Sequence, residues 1–254
     1  MICCIDGSNI IGITFAIAKR ELQKNKGMDY EFIKEDVPFF YHIFMKKIVP
    51  ILSTYKNCIF CFEGLHSTAW RKSVYPAYKA NRDEKKQTQD FKVLKDEYQN
   101  IEKFLHFFRC KTLRVELAEA DDLIYKICEL ESKSDDVVVI SNDKDFVQLL
   151  NFFSNIRIYN PIKKVFEKNN ENILLEKSLI GDVSDNIKGI PGVGEKVFQK
   201  MLADKALWNK KMTQENIDLQ KRILQIIDLR NFPKHLQENI EVQYKTMEWN
   251  KFDK

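Results

Sequence analysis

Residues 181–196 combine two kinds of chemistry in one short segment. Asp182 and Asp185 are three residues apart, so in a helical turn their carboxylates would share a face and suit a hard divalent cation. The sequence G-I-P-G-V-G at residues 189–194 is typical of a tight turn that opens a helix. Such a turn exposes backbone N–H groups, and a helix N-terminus favours a phosphate. The alternative is a polar loop before a capped helix, but the adjacency of the two features favours an enzyme that cuts a nucleic-acid backbone.

Further carboxylates follow short apolar runs that are typical of buried strands. These carboxylates are Asp6, Glu63, Asp143 and Asp145. Another acidic group, E-A-D-D at residues 119–122, stands at the start of an apolar helix. The alternatives are that Asp6 or Ser8 caps the next helix and that residues 119–122 only favour a helix dipole. Glu119 and Asp122 would nevertheless lie on one helical face, where a cation would offset their repulsion.

Nine carboxylates at one edge of a sheet would require cations. None of the four histidines falls in these motifs, and ligands that are all oxygen favour Mg²⁺ or Mn²⁺ over zinc. Two such ions can bracket a phosphodiester, one activating water and the other stabilising the leaving oxygen. The predicted metal ligands are Asp6, Glu63, Glu119, Asp121, Asp122, Asp143, Asp145, Asp182 and Asp185.

Residues 67–95 are polar and basic, with aromatic side chains between the charges. From residue 71 to residue 95 there are eight Lys or Arg and three Asp or Glu. Positive charge meets phosphate and aromatic faces stack on unpaired bases, so the stretch could bind nucleic acid; the alternative is a solvated face. The net charge of the chain is only +4, so affinity for nucleic acid must come from local patches.

The composition indicates a soluble, cytoplasmic protein with a large core. The chain has 254 residues, of which 44% are hydrophobic. The apolar residues 10–18 are too few to span a bilayer and lack a basic leader, so we expect neither a membrane segment nor a signal peptide. The six cysteines have apolar surroundings and are interpreted as reduced and buried, the alternative being a zinc site at Cys58 and Cys61.

Apolar strands alternate with helical segments, which predicts an α/β fold with a mostly parallel central sheet and helices on both faces. Ligands of such sheets bind beyond the carboxyl ends of the strands, where the acidic residues fall. Strands are expected at residues 2–5, 58–62, 111–115, 136–140 and 156–159, a hairpin partner at 163–166, and long helices at 32–55 and 91–108.

The chain resembles the 5′ nucleases, that is, the flap endonucleases and 5′→3′ exonucleases, and especially the stand-alone bacteriophage enzymes. The matching motifs follow the family's order and cover residues 1 to about 200. Together they are specific, whereas D-x-D or E-A-D-D alone would be weak. The motifs are D-G-S-N at 6–9, Y-P-A-Y-K-A-N-R at 75–82, E-A-D-D at 119–122, S-N-D-K-D-F at 141–146 and G-D-V-S-D-N-I-K-G-I-P-G-V-G at 181–194.

The resemblance implies a metal-dependent nuclease core over residues 1–180, with a helical arch at about residues 67–95 above the site. It implies a helix–hairpin–helix region that grips duplex DNA over residues 181–254, often around a K⁺ ion, with C-terminal helices packed on the core. Lys79 would stabilise charge on the scissile phosphate, Tyr78 would stack on a base, and Arg82 would lie beside them. Other DNA contacts would be Arg71, Lys85, Lys86, Gly189, Gly192, Gly194 and Lys196.

The resemblance also divides the carboxylates between two metals. The first would be held or oriented by Asp6, Glu119, Asp121 and Asp143, and the second, partly through water, by Asp122, Asp145, Asp182 and Asp185. Glu63 departs from the family, which usually has Asp there; its longer side chain could still reach a metal-bound water.

The implied activity is cleavage of DNA, and of RNA primers, at 5′ flaps and 5′ ends during replication or repair, leaving 5′-phosphates. Because no polymerase module follows, we expect a free-standing monomer that acts on branched or 5′-ended duplex DNA or an RNA–DNA hybrid, beside a polymerase or a single-strand-binding protein. One alternative is a single-strand-directed metal-dependent ribonuclease, which needs neither the basic arch nor the glycine-rich clamp. Another is a catalytically silent flap-DNA-binding protein, although nine acids hinder the binding of a polyanion unless metals fill the site.

Overall fold

The computed structural model of the protein describes residues 1–82 and 88–247. The strands are β1 (Ile2–Asp6), β2 (Asn57–Phe62), β3 (Cys110–Arg114), β4 (Val137–Ile140), β5 (Ile156–Asn160), β6 (Val165–Phe166), β7 (Gly181–Asp182) and β8 (Ile187–Lys188). The helices are α1 (Gly7–Lys26), α2 (Val37–Thr54), α3 (Ala69–Val74), α4 (Gln89–Leu105), α5 (Ala120–Glu131), α6 (Leu149–Phe152), α7 (Ile173–Ile180), α8 (Glu195–Ala203), α9 (Lys205–Lys211), α10 (Gln214–Ile227) and α11 (Lys234–Thr246).

A six-stranded sheet in the order β3-β2-β1-β4-β5-β6 forms the centre of the molecule. The first five strands of that order are parallel, and β6 is antiparallel to β5. Side chains alternate between two cores, so that Cys3 and Ile5 pack with α1, α2 and α4, whereas Ile2 and Cys4 pack with α5 and α11. Helices therefore cover both faces, which is why the strands are continuous apolar runs. The predicted fold class is confirmed.

The chain leaves β1 toward β2 and β3 on one side and later returns to place β4 and β5 on the other. The carboxyl ends of β1 and β4 therefore form the topological switch point, where ligands bind in open α/β sheets. Asp6 ends β1, and the segment Ser141 to Asp145 follows β4. The fold thus brings these acidic residues to one crevice.

The helix expected from residue 32 starts later, because residues 34–36 form a 3-10 turn before α2. Pro38 lies in the first turn of α2, where a missing backbone N–H costs no helical hydrogen bond. The strands match the sequence expectation to within one or two residues, and the hairpin partner near residue 165 is observed as β6.

Asp182 and Asp185 do not lie in a helical turn, contrary to the sequence prediction. They lie in the β7–β8 hairpin that follows α7. Gly181 ends the helix with φ +88°, and a Cβ there would come within 2.4 Å of the Ile187 carbonyl oxygen. Ser184 then donates its backbone N–H to Asp182 Oδ1 at 2.8 Å, which closes the turn. The two carboxylates still converge, but through a hairpin.

The glycine-rich segment forms a turn that leads into α8, as predicted. Gly189 lies so close to α7 that a Cβ would meet the Ile180 carbonyl oxygen at 2.4 Å. Further along, α10 packs against α7 and α3, while Leu236 and Ile240 of α11 belong to the core beneath the sheet. The C-terminal helices are therefore packed on the α/β core.

The cysteines that the sequence left open as a zinc site cannot chelate one ion together. Cys58 and Cys61 lie on opposite faces of β2, each in a different core. All six cysteines are buried, and none of them is in a disulfide bond. Within residues 1–82 and 88–247, no helix has the length and apolar character needed to cross a membrane.

Candidate active site

Asp6 connects β1 to β4 at the switch point. Its Oδ1 accepts the backbone N–H of Asn9 at 2.9 Å and so caps α1, and its Oδ2 accepts the Ser141 hydroxyl at 3.0 Å. Ser141 Oγ in turn accepts the backbone N–H of Asp143 at 3.0 Å. Asn9 also bonds to Asn142. These bonds fix Asp6 and Asp143 relative to each other.

Desolvation and mutual repulsion characterise this first carboxylate group, which we define as the buried Asp6, the half-buried Asp121 and the exposed Asp143. Burial, with the nearby charge of Asp143, raises the pKa of Asp6 to about 7. Burial and Asp143 also raise the pKa of Asp121 well above its usual range. Desolvation of its carboxylate among the neighbouring acids likewise raises the pKa of Asp143, although Lys177 and Lys79 oppose that shift. Among the described residues, no Lys or Arg forms an ion pair with this group, so a divalent cation would relieve its repulsion.

A second carboxylate group, Asp145, Asp182 and Asp185, lies next to the first. One oxygen from each residue can be chosen so that all three lie within 4.8 Å of one another. The two groups interact electrostatically, because the charge of Asp182 contributes to the raised pKa of Asp143. Three carboxylates on one hard cation match the ligand preference of Mg²⁺ or Mn²⁺.

Two basic side chains contact the second group. The Lys177 ammonium lies against Asp145 Oδ1 and 2.9 Å from Asp182 Oδ2. Arg82 donates from Nη2 to Asp185 Oδ1 at 2.7 Å. Despite burial, Lys177 and Ser184 lower the pKa of Asp182 to about 2. Asp145 Oδ1 is buried and, although Lys177 touches it, it accepts no hydrogen bond of ordinary geometry. A buried oxygen without such a bond fits a metal ligand.

Asp122, predicted to serve the second metal, instead forms a buried ion pair. Arg71 donates to Asp122 Oδ1 at 2.7 Å and to Asp122 Oδ2 at 3.0 Å, and Asp122 is fully buried. Asp122 Oδ2 also accepts the backbone N–H of Glu119 at 2.9 Å. Its oxygens are thus used inside the fold, because the side chain points from α5 toward α3 and away from the cleft.

Arg71, predicted to contact DNA, is only 2% exposed. Besides Asp122, it contacts Glu119 Oε2 at 2.7 Å and donates from Nε to the Ile226 carbonyl at 3.1 Å. Arg71 therefore connects α3, α5 and α10. The prediction is wrong because a basic stretch also contains residues that turn inward, and a charge count cannot identify them.

Glu119 is buried and fully occupied by cationic and hydroxyl donors. Lys79 contacts its Oε1, and the Tyr78 hydroxyl donates to its Oε2 at 2.9 Å. Although burial opposes ionisation, Arg71 and Lys79 lower the pKa of Glu119. Lys79 itself lines the cleft.

Tyr78 was expected to stack on a base, but it is 3% exposed and packs with Ile187 and Ile223. In this conformation its ring is part of the core and its hydroxyl orients Glu119, so the stacking role is corrected. The expected arch is described only in part: α3, a 3-10 turn at residues 80–82 and α4 are present. Lys85 and Lys86 lie outside the described residues.

A cleft of about 2190 Å³ opens over the carboxylates and extends along α1 and α4. Small-molecule pockets typically measure about 300–1,000 Å³, so this cleft suits a polymer. Its acidic part contains Asp6, Glu63, Glu119, Asp121 and Asp143. Its basic part contains Arg20, Lys47, Lys72, Lys79, Arg82, Lys92, Lys95, Lys103 and Arg114. Glu63 thus lies at the cleft, with its carbonyl bonded to Arg114.

The structure brings most predicted acids together and leaves the glycine turn apart. Gly189, Gly192, Gly194 and Lys196 do not line the cleft. Sequence reasoning missed Lys177 and gave no role to Ser141 and Asn142, although both belong to the motif at residues 141–146. The last two stand directly after a buried strand, a position that could have identified them. Lys177 precedes Asp182 by five residues across a helix end, and no spacing rule identifies such a pair.

Residues 1–178 match the family described as 5′-3′ exonuclease, N-terminal resolvase-like domain. The chain is 30% identical over 148 residues to DNA polymerase I of Bacillus caldotenax, covering 53% of this chain and 16% of that polymerase. This chain therefore spans only about a sixth of the length of such polymerase relatives. It is 29% identical over 221 residues to a 5′-3′ exonuclease of Buchnera aphidicola subsp. Acyrthosiphon pisum, covering 79% of this chain and 68% of the exonuclease.

Solved structures share the fold. A 5′-exonuclease of bacteriophage T5 with bound zinc ions superposes with a TM-score of 0.64 at 19% identity, covering 95% of this chain and 97% of the other. A flap endonuclease of the same phage, in a pseudo-enzyme–product complex with DNA and metal ions, gives a TM-score of 0.66 at 19% identity over the same shares of the two chains.

Proposed function

The chain belongs to the 5′-3′ exonuclease family, and on that premise we propose that it is a divalent-metal-dependent, structure-specific 5′ nuclease acting on DNA. It would hydrolyse phosphodiester bonds at 5′ flaps and 5′ ends, leaving a 5′-phosphate and a 3′-hydroxyl, in replication or repair. The observation that carries the proposal is the pair of carboxylate groups that meet at the switch point of the sheet.

The two groups divide the proposed metal ligands without Asp122 and without Glu119, which the sequence assigned to the first metal but whose oxygens contact Arg71, Lys79 and Tyr78. Asp6, Asp121 and Asp143 would hold one Mg²⁺ or Mn²⁺, and Asp145, Asp182 and Asp185 would hold another. When bound, two such ions activate water and stabilise the leaving oxygen of a phosphodiester. Glu63 faces the same cleft and would orient a water near the first group.

The chain's own cations would position the substrate. Lys79, with its pKa raised by Glu119 and Asp185 against the effect of burial, stays protonated and would meet the scissile phosphate. Arg82, exposed enough to leave Asp185, would bind a neighbouring phosphate. A duplex would contact the glycine turn through Gly189, Gly192, Gly194 and Lys196, whose backbone and charge suit phosphates.

A K⁺ ion at that turn would have limited room. Lys211 Nζ already lies 3.4 Å from the Pro191 carbonyl oxygen and 3.3 Å from the Gly192 carbonyl oxygen. A K⁺ ion would need the remaining carbonyls, and no step of the proposed reaction depends on it.

The proposed setting is the cytoplasm, where a monomer would work beside a polymerase. Six buried cysteines without a disulfide bond support a reducing compartment. The polymerase context is supported by the DNA polymerase I relatives, which contain a segment similar to this chain. An RNA–DNA hybrid is included among the proposed substrates.

The test is cleavage of a 5′-flap DNA duplex, labelled on the flap strand, with Mg²⁺ and then with excess EDTA. Cleavage near the junction only with Mg²⁺ supports the proposal, and D143N should abolish it. D135N is the matched control, because Asp135 is exposed at the opposite edge of the sheet. Cleavage of single-stranded RNA alone would indicate a ribonuclease instead, and flap binding without any cut would indicate a silent binding protein.

A further inference from the structure

Lys177 stands where a cation bound by the second carboxylate group would stand. Its ammonium touches Asp145 Oδ1 and lies 2.9 Å from Asp182 Oδ2. These are two of the three residues whose oxygens come within 4.8 Å of one another. The Lys177 side chain is only 17% exposed, so α7 directs its charge into the group and not into solvent.

The two carboxylate groups differ in their resident positive charge. The second group has three carboxylates and contacts with both Lys177 and Arg82. For the first group, the described residues include no Lys or Arg within ion-pair distance. Because like charges repel, a divalent ion entering the second group must displace the ammonium or remain beside it. An ion entering the first group meets no ammonium or guanidinium in ion-pair contact, although the charges of Lys79 and Lys177 act on that group from farther away.

We propose that Lys177 is a built-in counter-cation that weakens divalent-metal binding by Asp145, Asp182 and Asp185, so that the first group fills at lower metal concentration than the second. The inference rests on the proposed function, because it concerns the second metal of that nuclease. Lys177 acts through these carboxylates and is a positioning residue. In the free protein it also holds Asp145 and Asp182 together until a metal arrives.

The test is a Mn²⁺ titration of the protein without DNA, followed by calorimetry and by electron paramagnetic resonance of the free ion. The wild type should show a stronger and a weaker class of site. K177M keeps the length and apolar stem of the side chain without its charge, and should tighten the weaker class about tenfold or more. K177R should keep that class weak. K24M is the matched control, because it removes an exposed lysine paired with Glu21 and should change neither class.

A second readout is the thermal midpoint in EDTA. K177M should lower the midpoint, because Asp145 and Asp182 lose their counter-charge, and saturating Mn²⁺ should raise the midpoint by more than in the wild type. If K177M does not fold, K177Q replaces it in both measurements. The inference is overturned if the weaker class of Mn²⁺ site in K177M binds no more tightly than in the wild type. That outcome would leave flap cleavage by the wild type intact. By contrast, the proposed function fails if the wild type binds no Mn²⁺ or cuts no flap.

Discussion

At the scale of single residues, Asp6 has a structural role in the fold and a chemical role in the candidate site. Its oxygens cap α1 and accept the Ser141 hydroxyl, yet burial raises its pKa from 3.8 to about 7. Because the folded-state pKa is the higher one, the fold prefers the protonated carboxyl. The stabilisation that the protonated Asp6 carboxyl contributes is fully present below about pH 4 and is lost as the pH rises through 7.

We therefore expect D6N to stabilise the metal-free protein at pH 8. A shift of this size corresponds to about 4 kcal/mol at most, since each pKa unit is about 1.4 kcal/mol. Urea unfolding in EDTA should show that the free energies of unfolding of variant and wild type differ by almost nothing at pH 4. The difference should reach its full size above pH 7. Saturating Mg²⁺ at pH 8 should narrow the difference, because only the wild type keeps this ligand. A difference that is constant from pH 4 to pH 8 would contradict the raised pKa.

Arg71 is expected to matter for stability and not for contact with DNA. R71M leaves Asp122 and Glu119 buried without their guanidinium, and breaking such a pair typically costs about 3–5 kcal/mol. Denaturant unfolding measures this cost directly. R109M, at an exposed position, is the control and should change the free energy of unfolding by less than about 0.5 kcal/mol. If R71M kept its stability and lost only DNA affinity, Arg71 would be a surface contact after all.

The residue types of the first group could be predicted, whereas the pairings of the basic residues could not. Asp6 and Asp143 follow buried strands, and parallel strands bring such positions to one edge. Arg71 and Asp122 are 51 residues apart, so their pairing depends on how α3 docks on α5. Lys177 and Asp145 likewise meet only through the packing of α7 beside the segment after β4. Side-chain direction where elements pack together is a tertiary property, which is why the roles predicted for Arg71 and Asp122 were wrong and Lys177 was missed.

At the scale of elements, strands were easier to predict than the hairpin between α7 and α8. A parallel strand shows itself as a continuous apolar run, as in residues 137–140. The two-residue strands β7 and β8 have no such run, and a helical spacing described Asp182 and Asp185 equally well. What decides the conformation is Gly181 at φ +88°, which ends α7 and reverses the chain.

Gly189 should be required for the turn, whereas Gly194 should not. A Cβ at Gly189 would lie 2.4 Å from the Leu179 and Ile180 carbonyl oxygens, and both are rigid backbone atoms. At Gly194 nothing lies within 4 Å of a Cβ, and its φ of −110° suits any residue. We expect G189A to lower the thermal midpoint and the affinity for duplex DNA, with G194A as the control that keeps the midpoint. An unchanged midpoint in G189A would mean that α7 and the turn can separate at little cost.

At the scale of the whole molecule, the topology separates two surfaces that one substrate would bridge. The cleft runs from the carboxyl ends of β1 and β4 along α1 and α4. The glycine turn is apart from that cleft: it leads into α8, which packs on α7, and α7 packs on the 3-10 helix Lys144–Gln148 after β4. The α/β class of this arrangement follows from the strand–helix alternation. The direction of the cleft does not follow from that alternation, because it depends on the gap between α1 and α4.

The basic part of the cleft should bind the single strand of a flap. Arg20 on α1 and Lys103 on α4 are exposed and line the cleft. Replacing both by Ala should weaken binding of a long 5′ flap, and should lower the salt dependence of that binding by about one to two counterions. The measurement is fluorescence anisotropy in Ca²⁺ at several salt concentrations.

The K56A and K133A double variant is the matched control for this pair. It removes the same charge from exposed lysines at the amino ends of β2 and β4, on the opposite edge of the sheet. It should bind the flap like the wild type. Blunt duplex without a flap should bind all three proteins alike, because the duplex is expected to contact the glycine turn instead. If both double variants weakened flap binding equally, net charge and not the cleft would determine affinity, and the single strand would have to follow another path.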